Sequence, residues 1–212
     1  MKRIALYMHE PICDAQCANG LIASLEGSYR FKLFGKNEMQ AGFLDDVDAV
    51  LFPGGLGDSD RFDRVAGVHK SMIQDYVQQG GCYLGVCMGA YWADKNYFDI
   101  LEETRVEQYI TQPGTDTRRP HPKAMPVNWR GELTKMFFYD GCTFLGGKQD
   151  VYATYDTGYP MAMIQNRIGL IGCHPESQEY WYKKTSYMRG HWHGGQHNRM
   201  LLEFVDHVVN NT

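Results

Sequence analysis

The sequence lacks the features that would assign it to several large functional classes. No apolar run approaches the roughly 20 residues needed to cross a bilayer. The N-terminal MKRIALYMHEP has two basic residues, but its apolar run is too short for a secretory core and is cut by His9, Glu10 and Pro11. A cytoplasmic protein is therefore expected, with no membrane association. Positive charge is not in excess: 21 Lys and Arg stand against 25 Asp and Glu, a net charge of −4, and the pI is near 6.0. That excludes the basic footprint of a nucleic-acid binder and leaves a small molecule or a protein as partner. G-x-G-x-x-G is absent, and no other ATP-binding signal, internal repeat or low-complexity tract is present. The six cysteines have no pairs at metal-finger spacing. In a chain of this size without an export signal they are expected to be reduced. Cys13 and Cys17, in CDAQC, read as structural, with pocket lining as the lesser alternative. Neither a metal nor a cofactor is implied.

What is present is an alternation of strand and helix signals over the first eighty residues. RIALYM is a short apolar strand, and DAQCANGLIASLEG follows as a helix with Asp14 as N-cap and Gly27 as stop. YRFKLFG alternates with period two, and DVDAVLFPGG is a strand running into a glycine turn. VHKSMIQDYVQQGG sets Val68, Met72, Ile73, Tyr76 and Val77 on one helical face and stops at Gly80, after which CYLGV is again a strand. Strands separated by helices of this length imply crossover connections, so the fold class is α/β, doubly wound, with a mostly parallel sheet and helices on both faces. Residues 96–150 differ: TQPGTDTRRPHPK is a loop, and KMFFYDG and VYATYD on either side of 150 suggest antiparallel strands. This middle region is read as a variable elaboration of one domain spanning 1–212. YPMAMIQ and RIGLIGC form a hairpin whose second strand delivers HPES, and NRMLLEFVDHVVNN closes the chain as an amphipathic helix with Leu201, Phe204, Val205 and Val208 on one stripe.

Sites in parallel α/β sheets form beyond the carboxyl ends of the strands. Three motifs lie at such ends: PGGLG at 53–57, GVCMGA at 85–90 and CHPES at 173–177. A cysteine flanked by glycines between a strand and a helix is the thiol counterpart of a nucleophile elbow, and a helix beginning there favours the thiolate. Cys87 is the candidate nucleophile. It needs a general base, and the base needs an orienting acceptor. His174 and Glu176 supply both, with Pro175 fixing the turn between them. Gly55, after its strand, and Met88, after the nucleophile, are candidate oxyanion donors through their amides.

PGG, GVCMGAYWA and GLIGCHPE occur in an order and at a spacing that resemble the class I glutamine amidotransferase-like superfamily. GGCYLGVCMGAYWA is most similar to the N-terminal domain of biotin-protein ligases and its stand-alone relatives. The resemblance covers residues 1–95 and 150–177. It implies a flavodoxin-like fold and a Cys87, His174, Glu176 triad with Gly55 and Met88 at the oxyanion hole. By the same resemblance Gly54 and Tyr91 face the substrate. Two features depart from the glutamine-hydrolysing pattern: Tyr91 stands where G-x-C-x-G-x-Q has glutamine, as in the biotin-ligase-like subgroup, and no serine-histidine segment occurs in 120–160.

The leading expectation is a cysteine hydrolase acting on glutamine or a related small amide through a thioester. With no ATP site in the chain, ammonia would pass to a separate synthetase or other acceptor protein. The alternatives are a non-catalytic ligand-binding or regulatory module and a thiol redox protein. Cys82 and Cys173 read as core. HWHGGQH, with His191, His193 and His197, reads as an exposed loop at a helix start rather than a metal site, and TRRPHPK as a solvated loop. Tyr180, Trp181, Tyr182 and Trp192 are either pocket rim or cover for the sheet.

Overall fold

The computed structural model describes residues 1–8, 15–56 and 58–210. The predicted cap Asp14, together with Cys13 and Gly57, lies outside them. Eleven strands and six α-helices are present among the described residues. Nine strands form one sheet in the order β2, β1, β3, β4, β11, β10, β9, β6, β7.

Half of that sheet is the expected parallel core. β1 (Arg3–Tyr7), β2 (Arg30–Phe34), β3 (Ala49–Phe52), β4 (Cys82–Val86) and β11 (Ile168–Ile171) pair in parallel, Leu6 facing Leu51 and Gly85 facing Leu170. β1, β3, β4 and β11 are almost wholly buried, which is why they read as continuous apolar runs rather than alternating ones. The antiparallel elaboration continues the same sheet. β10 (Pro160–Gln165) pairs with β11, β9 (Asp150–Tyr155) with β10, β6 (Lys123–Trp129) with β9, and β7 (Glu132–Phe138) with β6, all antiparallel. A second sheet of two strands, β5 (Arg105–Gln108) and β8 (Cys142–Leu145), completes the elaboration.

Successive residues of β4 report which helices cover which face, because side chains alternate along a strand. Cys82 Sγ lies 3.7 Å from the carbonyl of Val208 in α6 (Gln196–Asn210). The neighbouring Tyr83 ring stacks on Phe52, 5.5 Å between centroids, and meets Phe98 on the other side. There Phe52, Phe62, Trp92 and Phe98 form an aromatic cluster with edge-on and tilted contacts. Phe62 comes from α2 (Ser59–Val65), capped by Asp58, whose carboxylate accepts the Arg61 amide. Helices therefore cover both faces. α1 (Ala15–Leu25) packs beside α6, whose predicted stripe of Leu201, Phe204, Val205 and Val208 is buried.

Two expectations need correction. Val68 does not join the apolar face of α3 (Lys70–Gln78): it lies in a 3-10 turn at 67–69 and is exposed, because the α-helical period begins only at Lys70. The helix expected to begin after Cys87 is present, as a single turn, α4 (Met88–Tyr91). Asp94 ends the helical stretch, its carboxylate accepting the amides of Asn96 and Val106. Finally, 191–197 is not an exposed loop throughout. His197 is fully buried and bonded to Thr134 Oγ1 at 2.9 Å, and its ring stacks on that of His193 at 4.0 Å.

Candidate active site

The turn that carries Cys87 has the geometry of an elbow. Its φ of 50° and ψ of −105° are unusual for a side-chain-bearing residue, a conformation costing about 1–3 kcal/mol that the surroundings must hold. They do so by hydrogen bonds from the Cys87 amide to Ile171 O at 2.9 Å and from the Gly89 amide to Pro53 O at 3.1 Å. The flanking glycines answer a steric requirement. A Cβ on Gly89 would lie 2.0 Å from Phe52 O, and one on Gly85 would lie 2.4 Å from Gly89 O. The spacing of small residues around the thiol thus follows from how tightly β3, β4 and the elbow turn pack.

His174 follows β11, one strand from the elbow. Its amide donates to Phe137 O at 2.8 Å, bridging it to the end of β7. Its Nδ1 lies 2.8 Å from Glu176 Oε1, and both side chains are buried. Burial opposes a charge on this imidazole, but Glu176, Cys87 and Cys17 outweigh it and hold the His174 pKa well above its usual value. The arrangement keeps a proton on Nδ1 against the carboxylate. Glu176 Oε2 is buried with no hydrogen-bond partner among the described residues.

Cys87 and His174 line one cavity of about 390 Å³, together with Gly55. The Cys87 side chain is almost buried, and its Sγ stands 3.8 Å from Tyr139 O. Met88 and Tyr91 line an adjoining cavity that shares Gly55 and Cys87 with the first. Tyr91 donates its hydroxyl to Asp140 O at 3.2 Å and so ties the elbow to the 139–140 turn. Gly54 backs onto the His174 ring instead: a Cβ there would lie 2.6 Å from His174 Cε1 and 2.9 Å from Cys17 Sγ. Cys87, His174, Gly55, Met88 and Tyr91 thus line two adjoining cavities, whereas Gly54, expected to face the substrate, packs against the imidazole and lines neither.

Several residues of the cavity were not singled out from sequence. Phe137 and Tyr139 arrive at the end of β7, and Gln16, Leu56, Pro122 and Lys184 complete the wall. Pro122 belongs to the TRRPHPK loop, whose Arg118 and Arg119 are solvated as expected. Of the aromatic group, Trp181 and Tyr182 are both buried, Trp181 lining the cavity and Tyr182 setting its hydroxyl 3.0 Å from Ser177 Oγ. Cys17 resolves toward the lesser alternative: it lines the cavity, with Sγ 3.9 Å from His174 Nδ1. Cys142 and Cys173 are different, since burial pushes both thiols well above their usual range and keeps them uncharged.

The family model described as "Biotin-protein ligase, N terminal" matches residues 11–108. No curated protein matches the sequence. Among solved structures, a glutamine amidotransferase from Thermotoga maritima superposes with a TM-score of 0.67 at 14% identity, covering 99% of each chain. PurLQS from the same organism gives 0.64 at 13% identity, over 96% of this chain and 99% of that one. A putative GMP synthase subunit from Thermoplasma acidophilum gives 0.60 at 14% identity, over 97% and 94%. At these identities the likeness is one of fold, and it extends over nearly the whole chain. The protein accordingly has the class I glutamine amidotransferase-like fold, and within it residues 11–108 match the biotin-protein ligase N-terminal family.

Proposed function

We propose that the protein is a cysteine-dependent hydrolase of the glutamine amidotransferase type, acting on the carbonyl of a small amide. The observation that carries this reading is the buried contact of 2.8 Å between His174 Nδ1 and Glu176 Oε1, beside a cavity that His174 shares with Cys87 in its elbow. Cys87 attacks the amide carbon as the thiolate. The oxyanion accepts hydrogen bonds from the amides of Gly55 and Met88. His174 passes a proton to the leaving nitrogen, ammonia departs, and a thioester remains on Sγ. Water then attacks with His174 as base, and the acid leaves with Cys87 restored. Glu176 orients the ring and balances its charge throughout.

Glutamine or a closely related amide is the substrate class this mechanism favours, and a separate protein that consumes ammonia is the matching partner. Support for such a partner comes from the fold similarity to a putative GMP synthase subunit. Tyr91 favours a second reading, a non-catalytic ligand-binding module, because its hydroxyl is engaged with Asp140 O where a glutamine-hydrolysing pattern would have glutamine. Treatment with a glutamine-mimicking diazoketone, followed by peptide mapping, decides between the two. Labelling at Cys87 that free glutamine blocks is the expected result. A Cys87 that reacts with a small alkylator yet never with the diazoketone would overturn the glutamine assignment. Unchanged ligand affinity and biological activity in Cys87→Ala would establish the binding module.

A further inference from the structure

Cys17 has no part in the mechanism above, yet it sits against it. We infer that Cys17, His174 and Glu176 form a binding site for a thiophilic divalent cation of the zinc type. Cys17 Sγ, a ring nitrogen of His174 and a carboxylate oxygen of Glu176 all lie within 4.8 Å of one another. The three residues are 3%, 4% and 0% exposed, so protein surrounds the ligand atoms except where Cys17 and His174 meet the cavity. Tetrahedral zinc with ordinary bond lengths separates such ligand atoms by about 3.4–3.6 Å. Here Sγ and Nδ1 are 3.9 Å apart and Nδ1 and Oε1 are 2.8 Å apart. Small opposed movements therefore reach that geometry.

Three further observations support a cation there. Glu176 Oε2 is buried without a hydrogen-bond partner among the described residues, an orphaned acceptor that an adjacent positive charge would stabilise. A thiolate, a neutral imidazole and a carboxylate together balance a divalent ion in charge. Sulfur and imidazole donors select zinc or cobalt over magnesium or calcium. The site is also fixed by close packing. A Cβ on Gly20, three residues after Cys17 on α1, would lie 2.5 Å from Glu176 O, and one on Gly54 would lie 2.9 Å from Cys17 Sγ. Two glycines thus let α1 and the turn after β3 press the ligands together. Cys17 and His174 both border the cavity, which gives the ion its route in.

Binding forms one bond each from the metal to Sγ, Nδ1 and a Glu176 oxygen. It releases to solvent the thiol proton and the proton between Nδ1 and Glu176. The metal takes for itself both atoms of the His174–Glu176 contact, so the loaded state lacks an oriented base. The inference does not require the catalytic reading, and its test does not measure turnover. Full-length protein is stripped with chelator and titrated with Co²⁺, read by bound stoichiometry and by thiolate-to-cobalt charge-transfer absorption. One equivalent bound with that absorption is expected, displaced by Zn²⁺ and retained in Cys87→Ala. Cys17→Ser should abolish the absorption and weaken binding by more than the roughly 100-fold that losing an outer supporting contact costs. Cys17→Ala repeats the comparison should the serine fold poorly. Absence of stoichiometric binding, or an absorption that survives in both Cys17 variants, would overturn the inference.

Discussion

Glu176 is held by its surroundings against the His174 imidazole. It is fully buried, and among the described residues its carboxylate bonds to His174 through Oε1. If it orients the base, Glu176→Gln should preserve the fold and lower kcat by on the order of 10⁴, as expected when a base loses its carboxylate partner and holds the wrong tautomer. Steady-state ammonia release together with a thermal melt checks both halves of that expectation. Cys87→Ala should remove turnover altogether, leaving at most the residual contribution of the oxyanion donors. These residues were legible in the sequence because their chemistry is local: a thiol between glycines, and a carboxylate two residues from a histidine. Phe137, Tyr139 and Lys184 were not, because nothing in their neighbours along the chain records that strand β7 and helix α5 (Glu179–Lys183) end at the same cavity, whereas Trp181 was read as rim or sheet cover without a choice between them. Cys17 was half legible, since an apolar helix position says that it is buried but not against what.

The parallel-core strands were readable as continuous apolar runs and the last helix from its period, whereas β5, β6 and β8 were not legible. Val68 was misplaced because a short 3-10 turn interrupts the helical period there. The elbow depends on glycine in a way that can be measured. Gly89→Ala would force a Cβ to 2.0 Å from Phe52 O, which is backbone and cannot rotate away. A loss of about 3 kcal/mol in urea unfolding, with displaced Cys87 and lowered alkylation specificity, is expected. The start of α6 carries a pH dependence of its own. Burial lowers His193 to about 4, and burial together with His193 lowers His197 to about 3. Both folded-state values lie below the usual histidine value, so the unfolded chain binds protons first as pH falls. The stabilisation is complete above about pH 6.5 and declines through pH 4, by on the order of 3 kcal/mol for the pair, half-exposed His193 contributing less because solvent screens it. Denaturant melts between pH 7 and 4 should show this slope, and His197→Gln should flatten it.

Across the whole molecule, the parallel core and the antiparallel elaboration share β11, which pairs with β4 on one side and β10 on the other. A continuous sheet of this kind predicts one cooperative unit rather than two. Trp92 reports on the aromatic cluster beside the parallel core, and Trp129, in β6, reports on the elaboration. Single-tryptophan variants retaining one or the other should unfold at the same urea concentration. Transitions separated by more than experimental error would instead divide the chain into two folding units. The sequence described the middle region as an elaboration but did not reveal its attachment, because strand neighbours are set by edge geometry and not by local pattern.

The bridge between Phe137 and His174 has a consequence for how such a protein can change. Cys87 follows a strand of the parallel core, whereas the backbone that bonds His174 belongs to the antiparallel elaboration. Tyr139, two residues along, presents its carbonyl to the Cys87 thiol and lines the cavity. One short segment at the end of β7 therefore touches His174, the Cys87 sulfur and the cavity wall at once. Exchange of that segment would re-tune reactivity and selectivity together, so neither property can be engineered there without the other moving with it.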